Sequence, residues 1–232
     1  TITGNTAKSN GGGFYINGGS VSLVSCTISG NSAASTLGGS FYITAATASI
    51  VSCTISENSA ASGGGFYAVA KTIVSLDLST VSGNSASSKD GGGFYIDGAT
   101  VSLVSCDIVG NSAAYSSGGG FYINSAGSAS LVACIISDNI ALYGGGLHRP
   151  YVYSESLLLA GCAFFNNSAS TGKDLFNPSP IFTVLSTCGS GTFNPGSGIL
   201  DCFGCVGFIP ANLLDGTCTA CPTSTMTPSL TR

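Results

Sequence analysis

The stretch that decides the fold is Val21 to Ala33, V-S-L-V-S-C-T-I-S-G-N-S-A. Three close copies of it follow along the chain, at residues 50–60, 101–113 and 130–141. Each copy is preceded by Gly-Gly-Gly-Phe-Tyr or a near variant. One such short unit cannot bury its own apolar face, so we expect stacked units that share a core.

An asparagine marks the same point of every unit and measures the period. Successive members are 26 to 28 residues apart. This asparagine column consists of Asn5, Asn31, Asn58, Asn84, Asn111, Asn139 and Asn167. Helical repeats generally run longer, at about 33 to 47 residues, and the Leu-x-x-Leu-x-Leu pattern of leucine-rich repeats is absent. We expect the column to be structural, with buried amides that hydrogen-bond along the stack and satisfy backbone groups of the turns.

Apolar and polar side chains alternate within the unit, as in Phe14, Tyr15 and Ile16. This alternation is typical of half-buried strands. We therefore predict an all-β fold, a parallel β-helix of about six to seven coils with about three strands per coil. Prolines become frequent after residue 177, and proline does not fit a central strand ladder. The β-helix should thus occupy residues 1–185, and 186–232 should form a small, irregular, cysteine-rich cap or linker.

Equivalent residues of a parallel β-helix lie about 4.8 Å apart and form ladders along the axis. We predict an inward phenylalanine ladder of Phe14, Phe41, Phe66, Phe94 and Phe121. We predict a second inward ladder of Ile28, Ile55, Val81, Ile108, Ile136 and Phe164, and a third of the alanines that follow each asparagine. The outward ladder consists of Tyr15, Tyr42, Tyr67, Tyr95 and Tyr122.

The outward tyrosines are the predicted binding surface. Exposed aromatic strips often mark association sites or platforms on which sugars stack. The alternative is that tyrosine merely suits the surface of a strand.

The ten cysteines fall into two groups. The first group recurs once per unit: Cys26, Cys53, Cys106, Cys134 and Cys162. These residues are either buried thiols that act as small hydrophobes or disulfides between adjacent coils, such as Cys26–Cys53 and Cys106–Cys134. The second group is Cys188, Cys202, Cys205, Cys218 and Cys221. Its two Cys-x-x-Cys pairs are compatible with a zinc site, but a secreted context favours disulfides.

Charge is scarce throughout the chain. Only 7% of residues are charged and the net charge is −4, against about 25% charged residues in a typical domain. The chain lacks the basic footprint of nucleic-acid binding and has no run of about 18 apolar residues that would span a membrane. An uncharged polar surface suits packing against other surfaces or an extracellular coat.

The chain begins within a unit, because Thr1 to Asn5 matches Thr27 to Asn31. We therefore expect a piece of a longer secreted protein, in an extracellular or cell-surface location. Asn166-Asn167-Ser168 is a glycosylation sequon with Asn166 as acceptor.

Parallel β-helices also include pectin lyases and polygalacturonases, which need clustered acids on one outer face. The acids here are scattered over different coils or strands: Glu57, Asp77, Asp97, Asp107 and Asp138. The single histidine, His148, takes an exposed tyrosine position beside Arg149, where such a pair is more often solvated than catalytic. We predict no enzymatic activity, no metal and no cofactor.

Two paired motifs resemble the repeats of chlamydial polymorphic outer membrane proteins. They are Gly64-Gly65-Phe66-Tyr67 with Ile55-Ser-Glu-Asn58, and a literal Phe164-Phe165-Asn166-Asn167. The resemblance covers about residues 1–176 and implies a right-handed parallel β-helix of a surface adhesin. The tail Cys218-Thr-Ala-Cys221-Pro222 is similar to ephrin-receptor-like cysteine modules of eukaryotic surface proteins.

These features predict an extracellular structural or adhesive module, a building block of a surface filament, appendage or wall. Its expected partners are further copies of itself or other extracellular structural proteins, and possible glycans. The alternative is a carbohydrate-binding or pectate-lyase-like protein.

Overall fold

The structure, a computed structural model, describes residues 1–124, 127–150, 157–176, 183–185, 187–188, 199–200 and 207–208. Over these residues the chain is an all-β parallel solenoid of about six turns, without helices. Strands of the coils pair in parallel with their equivalents, so that Phe66 lies between Phe41 and Phe94. The register is continuous except for a shift after Ala33 and another after Ala113. The predicted parallel β-helix is confirmed.

Most coils contribute four short strands, not the three expected, and four sheets therefore run along the axis. The additional strand follows the asparagine column, where small serine and alanine residues let the backbones of successive coils pair. We name the sheets after the residues they turn inward: the phenylalanine, leucine, isoleucine and alanine sheets.

The strands of the phenylalanine sheet are Phe14–Asn17, Phe41–Thr44, Phe66–Val69, Phe94–Asp97, Phe121–Ile123, Leu147–His148, Leu175–Phe176 and Ile199–Leu200. Those of the leucine sheet are Ser20–Val24, Thr47–Val51, Ile73–Asp77, Thr100–Val104, Ser128–Val132, Leu157–Ala160 and Thr183–Leu185. Those of the isoleucine sheet are Ile2–Thr3, Thr27–Ser29, Thr54–Ser56, Thr80–Ser82, Asp107–Val109, Ile135–Ser137 and Ala163–Phe165. Those of the alanine sheet are Ser32–Leu37, Ser59–Ser62, Ser85–Ala86, Ser112–Ser117 and Ile140–Tyr143.

Two antiparallel pairings involve the segment predicted to be an irregular cap. Ile199–Leu200 pairs with the last parallel strand of the phenylalanine sheet, Leu175–Phe176. Thr187–Cys188 pairs with Gly207–Phe208. The remainder of residues 186–232 lies outside the described residues.

The three predicted inward ladders fill the core. Phe41, Phe66, Phe94 and Phe121 are fully buried, and neighbouring phenylalanine rings stack with centroids 4.6 to 5.0 Å apart. Phe14 is partly buried against this core. Burial of each phenylalanine stabilises the fold by roughly 1.5 to 3 kcal/mol, and each stacked pair adds about 0.5 to 1.5 kcal/mol. The aliphatic ladder and the alanines after the asparagines are buried beside it.

Glycines precede each phenylalanine because successive coils approach too closely there for a side chain. A Cβ atom on Gly92 would overlap the carbonyl oxygen of Gly119 and the backbone of Ser112. Gly110 is a glycine for a different reason. Nothing lies within 4 Å of its potential Cβ, but its φ of +65° is in the left-handed region, which disfavours other residues.

These two glycines predict different costs of substitution. Gly92→Ala must displace backbone and should lower the free energy of unfolding by about 3 kcal/mol or more. Gly110→Ala has open space and should lower it by only about 1 kcal/mol, the cost of a left-handed alanine. Urea unfolding of each variant, at an unchanged m-value, measures both losses in the free energy of unfolding. A Gly92 variant as stable as the Gly110 variant would contradict the close approach of the coils.

Candidate interaction surface

The five predicted tyrosines form one ladder on the outer face of the phenylalanine sheet. Parallel in-register pairing places Tyr42 between Tyr15 and Tyr67, and Tyr95 between Tyr67 and Tyr122. Neighbouring ring centroids are 4.6 to 5.7 Å apart, and their planes differ by 18° at most. The structure therefore brings together all five residues of the predicted surface.

Stacking covers the faces of these rings and turns their edges outward. Each ring inside the ladder has a tyrosine on both faces, so a sugar cannot lie flat on it. Tyr67 is only 8% exposed. Tyr15, the first member, is stacked on Tyr42 alone and is 51% exposed. The geometry thus favours contacts with the hydroxyl edge of the ladder.

Polar groups of three successive coils meet beside the ladder. The Tyr67 hydroxyl donates to a carboxylate oxygen of Asp97 at 3.3 Å, and Nδ2 of Asn124 donates to the other at 2.8 Å. Burial, then the neighbouring Tyr95 and Asp97, raises the pKa of Tyr67. Burial and Tyr122 do the same to the pKa of Tyr95. The hydroxyls therefore remain protonated and neutral at physiological pH.

His148 occupies the next tyrosine position but is buried, which corrects the expectation of a solvated His–Arg pair. It is 7% exposed, and Arg149 is 1% exposed. The strand Leu147–His148 is covered by its neighbour Leu175–Phe176. The imidazole consequently packs edge-on between Tyr122 and Phe176, with centroid distances of 5.2 and 4.7 Å.

Burial lowers the pKa of His148. Within the described part of the chain, neither imidazole nitrogen has a hydrogen-bond partner. Loss of solvation lowers the pKa of His148 to about 4, although the negative charge of Asp90 acts in the opposite direction. The ring is therefore neutral at physiological pH.

The asparagine column forms a continuous chain of hydrogen bonds. Each Nδ2 from Asn5 to Asn139 donates to Oδ1 of the next asparagine at 2.9 to 3.0 Å. From Asn31 onward, each Nδ2 also donates to a carbonyl of the preceding coil, such as that of Ile55 for Asn84. Each Oδ1 also accepts from a backbone N–H. The inner amides thus use their full hydrogen-bonding capacity.

Asp174 accepts the last hydrogen bond of the asparagine column, and sequence analysis missed this residue. Nδ2 of Asn167 donates to Oδ1 of Asp174 at 2.8 Å, and Asp174 is 4% exposed. The signal was present in the sequence, because Asp174 occupies the glycine position that Gly146 holds one coil earlier. A carboxylate there accepts the final hydrogen bond.

The five cysteines of the coils are free thiols, which agrees with the buried-thiol alternative and not with disulfides between Cys26 and Cys53 or between Cys106 and Cys134. In-register stacking aims equivalent side chains in the same direction, not towards each other. The N–H of Cys26 donates to Sγ of Cys53 at 3.2 Å, and that Sγ donates to the carbonyl of Val51 at 3.2 Å.

The thiols are also poor nucleophiles. A hydrogen bond with Cys106 lowers the pKa of Cys134, but the bond with Cys162 and burial raise it to about 11. The pKa of Cys106 is raised as well, first by its hydrogen bond with Cys134 and then by burial. These cysteines therefore act as small packed side chains.

The other candidate residues are placed as follows. Asn166, the sequon acceptor, is exposed with a φ of 55°. Cys188 lies in a short strand. Cys202, Cys205, Cys218 and Cys221 lie outside the described residues.

The acidic side chains are distributed over different sheets. Asp97 ends a strand of the phenylalanine sheet, Asp77 ends one of the leucine sheet, and Asp107 begins one of the isoleucine sheet. Glu57 and Asp138 occupy equivalent bends, directly before Asn58 and Asn139, but these lie three coils apart. Among the described residues, no three His, Cys, Asp or Glu side chains are grouped to hold a metal ion.

Sequence analysis left one outward feature unassigned, the valine after Leu23 and its equivalents. Neighbouring residues of a strand point to opposite faces, so Val24 points outward where Leu23 points inward. In the third coil Asp77 takes the valine position and an exposed leucine follows it. We use the name valine stripe for the outward column of Val24, Val51, Val104 and Val132, which Asp77 interrupts, together with Leu78, which directly follows Asp77. The Leu-Val pair that precedes Ser-Cys, as at Leu23-Val24, was the sequence signal for this outward valine column.

Comparisons with known proteins found no match. No family model matches the chain, and neither a curated protein nor a solved structure matches it. The parallel β-solenoid is thus established from the chain itself. Across the part of the chain that is described, no helical segment has the length and apolarity of a membrane span.

The asparagine ladder predicts a large cost for one missing amide. Asn84→Ala would remove the amide that donates to the carbonyl of Ile55 and accepts from the backbone N–H and from Nδ2 of Asn58, and should destabilise the fold by about 3 to 5 kcal/mol. The exposed Asn17 is a matched control, and its alanine variant should change stability by about 0.5 kcal/mol or less. Equal urea midpoints for the two variants would contradict the structural role of the ladder.

The buried histidine predicts a pH dependence of stability. Because the pKa of His148 is lowered to about 4 on folding, the unfolded chain binds a proton first as the pH falls. The contribution of His148 to the free energy of unfolding should be fully present above about pH 6.5, decline towards about pH 4 and level off below. The total loss should be about 3 kcal/mol at most.

The variant His148→Tyr isolates this effect, since it restores the tyrosine of the other coils. Urea unfolding of both proteins between about pH 4 and 7.5 should show a steeper loss for the wild type. The other titrating groups are common to both proteins and cancel in the difference. Parallel stability curves would show that His148 is not buried as a neutral ring.

Proposed function

We propose that this chain is a structural or adhesive module, a stiff solenoid without catalytic activity that forms part of a surface filament, appendage or wall. The unbroken register of its ladders supports this role. Phenylalanine, tyrosine and asparagine columns continue from coil to coil, and the tyrosine column gives the outer face of the phenylalanine sheet the same side chain about every 4.8 Å over five coils. Such faces suit contacts spread along a rod.

An extracellular or cell-surface location is part of the proposal. The repeats resemble those of chlamydial polymorphic outer membrane proteins, which are surface adhesins, and the tail is similar to ephrin-receptor-like cysteine modules. The low charge supports packing against other surfaces, because only 7% of the residues are charged. Further copies of the chain or other extracellular structural proteins are the proposed partners.

Carbohydrate binding is the second candidate, favoured by the row of hydroxyl groups along the tyrosine ladder. Sugars hydrogen-bond to such hydroxyls, which can both donate and accept. A pectate-lyase-like activity belongs to the same alternative.

The two candidates are separated by imaging and binding measurements on the full chain. The structural role predicts rods of uniform width by electron microscopy, regular assemblies in native material, and no unsaturated sugars released from pectin. A glycan array provides the complementary test. Binding to one glycan that is lost in Tyr15→Ala but kept in Tyr115→Ala, a control at an 83% exposed tyrosine, would favour the carbohydrate role.

A further inference from the structure

We propose that the valine stripe is a lateral docking surface for a second copy of this chain. The inference rests on the proposed structural role and names the face through which two solenoids would lie side by side. The stripe runs along the outer face of the leucine sheet, over five successive coils.

The stripe is exposed although it is apolar. Val24 is 61% exposed and Leu78 is 62% exposed. Burying such a row against a partner would remove this surface from water, which favours association. An apolar row on a face whose other outward residues mostly carry hydroxyls is typical of an interaction site.

Leu78 adds an exposed apolar side chain directly after Asp77, the residue that interrupts the valine column. Its φ of 48° lies in the left-handed region, which is disfavoured for a bulky side chain. The equivalent positions in other coils hold small residues: Ser25, Ser52, Ser105, Ala133 and Gly161. An exposed leucine in a disfavoured conformation adds nothing to the core of a single chain, which favours a role at the surface.

The surroundings of the stripe are neutral. Beside it run two outward columns, of which the first is Ser22, Ser49, Ser75, Ser102 and Ser130, and the second is Ser20, Thr47, Ile73, Thr100 and Ser128. In these five strands, Asp77 is the single charged residue. Two copies therefore meet with little repulsion, although each carries a net charge of −4.

A second copy fits this face because it has the same axial repeat. Side chains of two stripes stay in step over all five coils, whereas a partner with a different spacing falls out of register. Five strands of five residues cover about 24 by 16 Å, so a pair would bury roughly 800 Å² in total. Stable interfaces bury about 1,200 Å² or more. The pairing is therefore weak on its own and gains strength when many copies are aligned.

Sedimentation equilibrium of the full chain, from about 10 µM to 1 mM, tests this inference. The wild type should show a weak, reversible monomer–dimer equilibrium. Asp77→Val completes the valine column and should tighten the dimer about tenfold. Val132→Asp should abolish it. The matched control Tyr115→Asp places the same charge at an exposed apolar residue of the alanine sheet and should leave the dimer unchanged.

The gain expected for Asp77→Val cannot arise from misfolding. If this variant is no tighter than the wild type, or if Tyr115→Asp weakens the dimer as much as Val132→Asp, the inference is overturned. It is also overturned if monomers instead bind insoluble polysaccharide through the stripe. Monomers in this experiment together with rods in native assemblies would overturn the inference but leave the proposed function standing. A stripe-dependent dimer that cleaves pectin would overturn only the proposed function.

Discussion

Successive coils are joined by parallel, in-register hydrogen bonding, and this pairing places each side chain beside its own equivalent about 4.8 Å along the axis. Every position is therefore a column, and a residue type must be compatible with copies of itself. Phenylalanine rings stack, and alanines and thiols pack. A column of like charges would repel itself, which accounts for a chain with 7% charged residues.

Asparagine suits this constraint because its amide is both donor and acceptor. One amide can therefore accept from the coil before it and donate to the coil after it. The ladder needs a different group only where it ends. Asp174 supplies an acceptor for Asn167 at that point. Buried amides in an unbroken chain also restrict sliding of one coil over another, since a shifted coil would leave them unsatisfied.

The same constraint shapes the outer surface. It turns the tyrosines face to face, so that their stacking energy is used within the chain and mainly their edges remain available. On the leucine sheet it extends one outward valine per coil into an apolar row. These rows are the basis of the proposed structural role, and the two surfaces differ in their chemistry.

Much of this architecture was predictable from the sequence. Alternation is a property of each strand's own backbone, so the burial of Phe66 and Ile55 could be read from neighbouring residues. The period was equally accessible, because the asparagine position recurs in every coil. The continuity of the ladders followed from those two facts.

The remaining features depend on how side chains of different coils are oriented. Whether Cys26 and Cys53 aim at each other, whether a ring covers the face of Tyr67, and whether Phe176 buries His148 are all relations between segments about 27 residues apart. The sequence by itself determined the repeat, the strands and the direction of each side chain. Only the tertiary structure decided which groups those side chains meet, because contact geometry is set when the coils stack.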